Sequence, residues 1–145
     1  MRLAFALAAA TLFAVTPALA VQKLGERTQP PQRVLAQMGE GSTDAELERA
    51  VAAASAFPLG SMQNPVRVGG PLGQQAYLAR LRCGDGSLPS VGQAISAGAG
   101  GFGSVVQRFE LDCGAAAPGQ AELVMDMYHE EHRESRAPAG FALQR

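Results

Sequence analysis

The chain has 145 residues, a formal net charge of −1 and a hydrophobic fraction of 47%. This length allows one domain, and the near-neutral charge excludes the strongly basic surface typical of proteins that bind nucleic acid or an anionic membrane. No nucleophile motif, metal motif or cofactor loop identifies an activity, so no cofactor is expected. The sequence therefore indicates where the protein works and roughly how it folds.

The first predicted element is an export signal at residues 1–20. Arg2 supplies a positive charge, Leu3 to Val15 is almost uninterrupted apolar sequence, and Ala18-Leu19-Ala20 has the small-x-small pattern of a signal-peptidase site. The apolar run is shorter than the ~20 residues that a transmembrane helix needs. We predict cleavage after this segment, a periplasmic or secreted protein, and no membrane insertion once the signal is removed.

A flexible arm is predicted at residues 21–42, which are polar, lack a sustained hydrophobic period and contain Pro30-Pro31. Residues 43–145 are predicted to form a single domain. Its first element is indicated by Thr43-Asp44-Ala45-Glu46, which has the form of a capping box at a helix start. The apolar residues that follow at helical spacing, and that predict a helix from about Asp44 to Ala56, are Leu47, Val51, Ala54 and Phe57.

Three later segments alternate apolar and polar residues with the two-residue period of half-buried strands. They are Gln75–Cys83, Val105–Cys113 and Glu122–His129. A shorter alternation at Val66–Val68 follows a turn. The predicted fold is therefore α+β, with one N-terminal helix packed on a small sheet of three to four strands.

The two cysteines, Cys83 and Cys113, lie 30 positions apart on the apolar faces of two predicted strands. In an exported protein this spacing favours a disulfide over a metal site or a redox motif. A disulfide requires Cα atoms within about 7 Å of each other. The two strands are therefore expected to run side by side in the same direction, unless one cysteine lies in a loop that folds back.

Both histidines lie in the segment His129-Glu130-Glu131-His132. His129 and His132 are the candidate ligands for zinc or copper, with Asp126 or a glutamate as a further ligand. The order is not H-E-x-x-H, so a metalloprotease motif is absent. A solvated charged segment at the end of a strand is the simpler interpretation, and no metal site is predicted.

One glycine-rich segment, Gly98-Ala99-Gly100-Gly101-Phe102-Gly103, fits G-x-G-x-x-G by letter. A dinucleotide site needs a strand before this motif and a helix N-terminus after it, and the sequence predicts a strand after it instead. We therefore interpret the segment as a flexible glycine loop.

Four motifs occur together in the second half of the chain: Asn64-Pro65-Val66-Arg67, Gly70-Pro71-Leu72-Gly73, the run from Tyr77 to Gly86, and Met125-Asp126-Met127-Tyr128-His129. In this combination the chain resembles small exported proteins of Gram-negative bacteria that have no assigned function. The resemblance covers a little over half of the chain. It implies an envelope or secreted location and an α+β domain with paired cysteines, and it carries no catalytic residue or ligand.

The expected function is a non-catalytic binding or structural module of the bacterial cell envelope, with a protein or another envelope component as its partner. Nucleic acid is not an expected partner. Two alternatives stay open, and with them the question of enzymatic activity. One is a metal-binding protein that uses His129 and His132, and the other is a small hydrolase whose site forms only in the fold, with His129 beside Ser or Asp in a deep pocket.

Overall fold

The computed structural model describes Met38 and residues 43–145. The predicted signal peptide at 1–20 lies outside the described residues, and so does the predicted arm at 21–42 apart from Met38. Among the described residues, none of the helices has the length and apolar character needed to cross a membrane.

The described part of the chain forms two helices and seven strands. In chain order they are α1 (Asp44–Ala54), β1 (Val66–Arg67), α2 (Gly70–Leu78), β2 (Leu81–Arg82), β3 (Ser90–Val91), β4 (Ile95–Ala99), β5 (Val105–Asp112), β6 (Gln120–Asp126) and β7 (Ala142–Leu143).

Five of the strands form one sheet, in which β5 and β6 are the central pair. The first strand, β1, runs parallel to β6, whereas β6, β3 and β4 all run antiparallel to β5. Since β6 occupies one edge of β5, both β3 and β4 lie along its other edge. The sheet therefore has a β1 side and a β3–β4 side, while β2 and β7 pair separately as a small second sheet.

The hydrophobic core lies on one face of the large sheet. Leu123 and Met125 of β6 point into it, opposite Phe109 of β5 and Val66 of β1 respectively. The strand predicted at Glu122–His129 is confirmed in part, since β6 spans Gln120–Asp126, but the expected alternation is wrong because all four residues from Leu123 to Asp126 are buried. The remaining buried members of the core are Val68, Tyr77, Leu81 and Leu111.

An α+β fold is confirmed, but the predicted arrangement of one N-terminal helix on a sheet of three to four strands is wrong. The helix α1 begins only at Asp44, where the Thr43–Glu46 capping box forms as predicted. Ala54 is its sole buried residue, so this helix contributes little to the core. A second helix and a five-stranded sheet take the place of the simpler arrangement.

The strand predicted at Gln75–Cys83 is wrong, because its first four residues, 75–78, belong to α2 and the next two form a turn. Pro71 lies in the first turn of α2, where its fixed φ suits a helix and its missing N–H has no partner to lose. Gln74 and Tyr77 are the buried residues of the helix, and their separation of three matches a helical period. Only Leu81–Arg82 of the predicted strand is extended and paired.

The predicted disulfide between Cys83 and Cys113 is confirmed, with a Cα–Cα distance of 5.8 Å. The expectation that two parallel neighbouring strands carry the cysteines is wrong. Cys83 follows β2, which pairs with β7, whereas Cys113 follows β5 in the large sheet. The disulfide therefore joins the two sheets.

Candidate functional site

Asp126, at the end of β6, is a fully buried carboxylate that receives contacts from three directions. The Ser104 hydroxyl donates a hydrogen bond to its Oδ2, and Nε2 of His129 lies 3.2 Å from the same oxygen. The backbone N–H of Tyr128 donates to Oδ1 over 3.0 Å. Ser104, Asp126 and His129 together form what we call the Asp126 cluster.

The electrostatics of the Asp126 cluster favour the ionised carboxylate. Burial alone would raise the pKa of Asp126, but the contacts from His129, Ser104 and the Tyr128 backbone outweigh it and hold the pKa below its usual value. Asp126 is therefore held as an anion.

The Asp126 cluster does not have the order of a catalytic triad. In a triad the imidazole lies between the hydroxyl and the carboxylate, where it can take the proton of the nucleophile. Here the carboxylate of Asp126 lies between Ser104 and His129. His129 itself is buried, with its ring edge-to-face against Phe102 at a centroid distance of 5.5 Å. The geometry thus fits an internal polar anchor better than a hydrolytic site.

A second polar cluster lies in the C-terminal segment around Glu134, another buried carboxylate. Arg136 donates from Nε over 3.1 Å to Oε1, and the backbone N–H groups of Ser135 and Arg136 donate to the same oxygen. Burial alone would raise the pKa of Glu134, but the contacts from Arg136 and Ser135 lower it to about 2. Glu134 is therefore held as an anion.

The two candidate metal ligands face different carboxylates. His129 lies beside Asp126, whereas Nε2 of His132 is 3.6 Å from Oε2 of Glu134. Burial and the positive charge of Arg67 lower the pKa of His132, against the opposing effect of Glu134. Among the described residues, no group of three or more His, Cys, Asp or Glu side chains could hold a metal ion. The metal-binding alternative stays a prediction.

These clusters lie on the β1 side of the sheet, where the chain packs against itself. Val66 and Val68 are buried there, and the Val68 N–H donates to the carbonyl of Asp126 over 2.9 Å. The C-terminal segment is attached to α2, because the Tyr77 hydroxyl donates to the carbonyl of Arg136 over 2.8 Å. Polar side chains on this side therefore hold neighbouring segments together.

The opposite side of the sheet is exposed. Every residue from 90 to 99 is exposed except Ala97, which is half-buried. This segment contains β3 and β4, whose inner edge pairs with β5 and whose outer edge pairs with no other strand of the described chain. We call residues 90–99 the free edge.

The free edge carries apolar side chains and no charge. Ile95 is 47% exposed and Val91 is 42% exposed. No charged residue occurs between Asp85 and Arg108. This surface was not predicted from the sequence, although the long uncharged interval was a signal that could have indicated it.

The glycine-rich segment forms the turn between β4 and β5, which anchors one end of the free edge. The N–H of Gly101 donates to the carbonyl of Met62 over 2.8 Å, and a Cβ atom at Gly101 would overlap the carbonyl oxygen of Gln63. Close backbone packing therefore explains the glycine here, in place of the flexible loop predicted from the sequence. Because β5 follows, the phosphate geometry of a helix N-terminus is lacking at this turn.

Comparisons of the chain with protein-family models, with curated proteins and with solved structures found no match.

Proposed function

We propose that the protein is a non-catalytic binding module of the bacterial cell envelope, and that its free edge binds a protein partner by strand addition. The observation that carries this proposal is a sheet edge that is exposed, unpaired and uncharged. Strand addition uses the backbone N–H and C=O groups of such an edge for affinity. Neighbouring side chains such as Ile95 then supply specificity.

The missing charges distinguish this edge from an ordinary protected one. Soluble proteins commonly protect exposed edge strands with lysines, prolines or inward-pointing charges, because an unprotected edge pairs with other chains. The free edge has no lysine, arginine, aspartate or glutamate, and its strands β3 and β4 contain no proline. Its remaining protection is the shortness of its strands and the irregularity near Gly98, so its backbone groups stay available for a short pairing.

The pairing is expected to be short. The register between β4 and β5 shifts between Ser96 and Ala99, and Gly98 within this interval has a positive φ of 82°. Irregularities of this kind bend a strand locally. A partner segment would therefore pair along only a few residues of the free edge, which favours a reversible contact.

Two features support a binding role in the envelope. The Cys83–Cys113 disulfide is a type of bond that persists in oxidising compartments, in agreement with the predicted export signal. The Asp126 cluster has the geometry of an internal anchor, which favours a non-catalytic role.

Site-specific photo-crosslinking tests the proposal. A photo-crosslinking amino acid replaces Ser96 on the free edge, and in a matched control it replaces Gln75, an exposed residue of α2. After illumination in envelope extract, we expect a discrete protein adduct from position 96 and none from position 75. Equal labelling at both positions, or no adduct from position 96, would contradict the proposal.

A further inference from the structure

We propose that the strand added at the free edge is the free edge of a second copy of this chain. Two copies would pair their β4 strands antiparallel about a twofold axis, so that the two five-stranded sheets become one continuous sheet. This inference rests on the proposed binding role of the free edge, and it specifies the partner.

The charge pattern of the free edge favours pairing with a second copy. In a twofold interface the same surface patch occurs on both sides, so a charge near the axis lies close to its own copy and is repelled. A different partner protein imposes no such condition, because it can supply the opposite charge. The interval between Asp85 and Arg108 contains no charge of either sign, and it includes the whole free edge. Two copies paired along this edge therefore meet no like-charge repulsion.

The side chains of β4 are mostly small, which also favours pairing. The sequence of β4 is Ile-Ser-Ala-Gly-Ala, in which only Ile95 is large. Paired strands lie about 4.8 Å apart with their side chains above and below the sheet, so the short side chains of β4 leave the backbone groups of the edge accessible to a second strand. Antiparallel pairing sets the start of one strand against the end of the other. Ile95 of each copy would therefore lie near Ala99 of the other copy.

The short length of β4 limits the affinity that is expected for the dimer. Stable interfaces bury about 800 Å² on each partner, which is more than two five-residue strands provide. The dimer is therefore expected to be weak and to form in a concentration-dependent way.

Sedimentation velocity on the disulfide-intact protein, from low micromolar to near-millimolar concentration, tests the inference. The variant Ser96→Lys places two like charges close to the twofold axis, and Gln75→Lys on α2 adds the same charge elsewhere. We expect the wild type and Gln75→Lys to approach twice the monomer mass, and Ser96→Lys to dissociate at least ~10-fold more readily. A wild type that stays monomeric throughout, or a Ser96→Lys protein that dimerises equally well, would overturn the inference.

Two further measurements distinguish a loss of dimerisation from a loss of folding. Circular dichroism establishes whether Ser96→Lys folds like the wild type. Amide hydrogen exchange of the wild type then compares low with high concentration. We expect added protection at high concentration in β4 and none in α2. Unchanged protection in β4 would contradict pairing through this edge.

The crosslinking experiment separates the two proposals. An adduct from position 96 at twice the mass of the chain supports self-pairing. A discrete adduct of another mass, with a wild type that is monomeric in sedimentation, overturns self-pairing and supports the proposed binding role. The absence of both an adduct and a dimer overturns both proposals.

Discussion

The two sides of the sheet differ in their polar and charged groups. On the β1 side, the buried carboxylate of Asp126 accepts from Ser104 and the Tyr128 backbone, and that of Glu134 accepts from the adjacent Ser135 and Arg136. On the β3–β4 side, residues 90–99 are uncharged and almost all exposed. The first side uses its polar groups to hold the chain to itself, whereas the second leaves backbone groups available to another chain. Stability and binding are thus expected to be located on different sides of the same sheet.

The strongest test of this comparison is Asp126→Ala. The substitution removes the acceptor of the half-buried Ser104 hydroxyl and Tyr128 N–H and the carboxylate beside the buried His129, and we expect a loss of about 3–5 kcal/mol of unfolding free energy. Urea denaturation measures the loss. The matched control is Glu110→Ala, which removes an exposed carboxylate from β5 and should change stability by less than about 0.5 kcal/mol. Similar losses in both variants would remove the distinction between the two sides.

Removing the disulfide is the next largest change. The double variant Cys83→Ala with Cys113→Ala opens a 30-residue loop, which in the chain-entropy model costs about 3–4 kcal/mol. Urea denaturation of the double variant and of reduced wild type should give the same loss. Where the variant is still folded, crosslinking from position 96 should persist, because the disulfide lies outside the free edge. Loss of crosslinking in a folded variant would show that the two regions are coupled.

Acid should weaken the β1 side. The pKa of Glu134 is lowered from 4.5 to about 2 in the folded protein, so its stabilising effect is complete above pH 4.5 and is lost as the pH falls towards 2. The maximum contribution is roughly 3 kcal/mol. The lowered pKa of Asp126 acts in the same direction. Urea midpoints measured from neutral pH to about pH 2 should therefore fall more steeply for the wild type than for Glu134→Gln. If the urea midpoints of the two proteins fell in parallel with pH, the acid sensitivity could not be assigned to Glu134.

The smallest expected effect is on the free edge. Ile95→Thr replaces a side chain that is 47% exposed, and the unfolding free energy should change by less than about 0.5 kcal/mol. In the same sheet, Val106 is fully buried, and Val106→Thr should cost about 1–3 kcal/mol because a hydroxyl enters the interior. Thermal unfolding of both variants measures the difference. A large loss from Ile95→Thr would show that the edge supports the monomer.

Prediction from the sequence succeeded where a local pattern is long enough to be specific. The capping box located α1, and the alternation in β5 and β6 located the central hairpin. The alternation from Tyr77 to Leu81 was misleading, because Tyr77 is buried by the end of a helix and Leu81 by a two-residue strand, while Ala79 between them is exposed. Strands of two residues are too short to show any period.

The contacts of the candidate sites were harder to predict because they are not local in sequence. Ser104 and Asp126 are 22 positions apart, and they meet only because the turn before β5 places Ser104 beside the end of β6. Nothing in the spacing of these residues indicates that contact. The free edge was partly visible in the sequence, because its lack of charge can be read there. Its position at the edge of the sheet could not be predicted.

The close approach of Gly101 to Gln63 has a consequence for sequence variation. Any side chain at position 101 would overlap the Gln63 carbonyl, so a library selected only for folding should retain glycine there. The neighbouring strand β4 should vary freely in the same library except at Gly98, whose positive φ favours glycine, because its side chains are exposed or half-buried. A library selected for function should instead exclude charged residues from β4. The difference between the two libraries would therefore separate the residues kept for the fold from those kept for the partner.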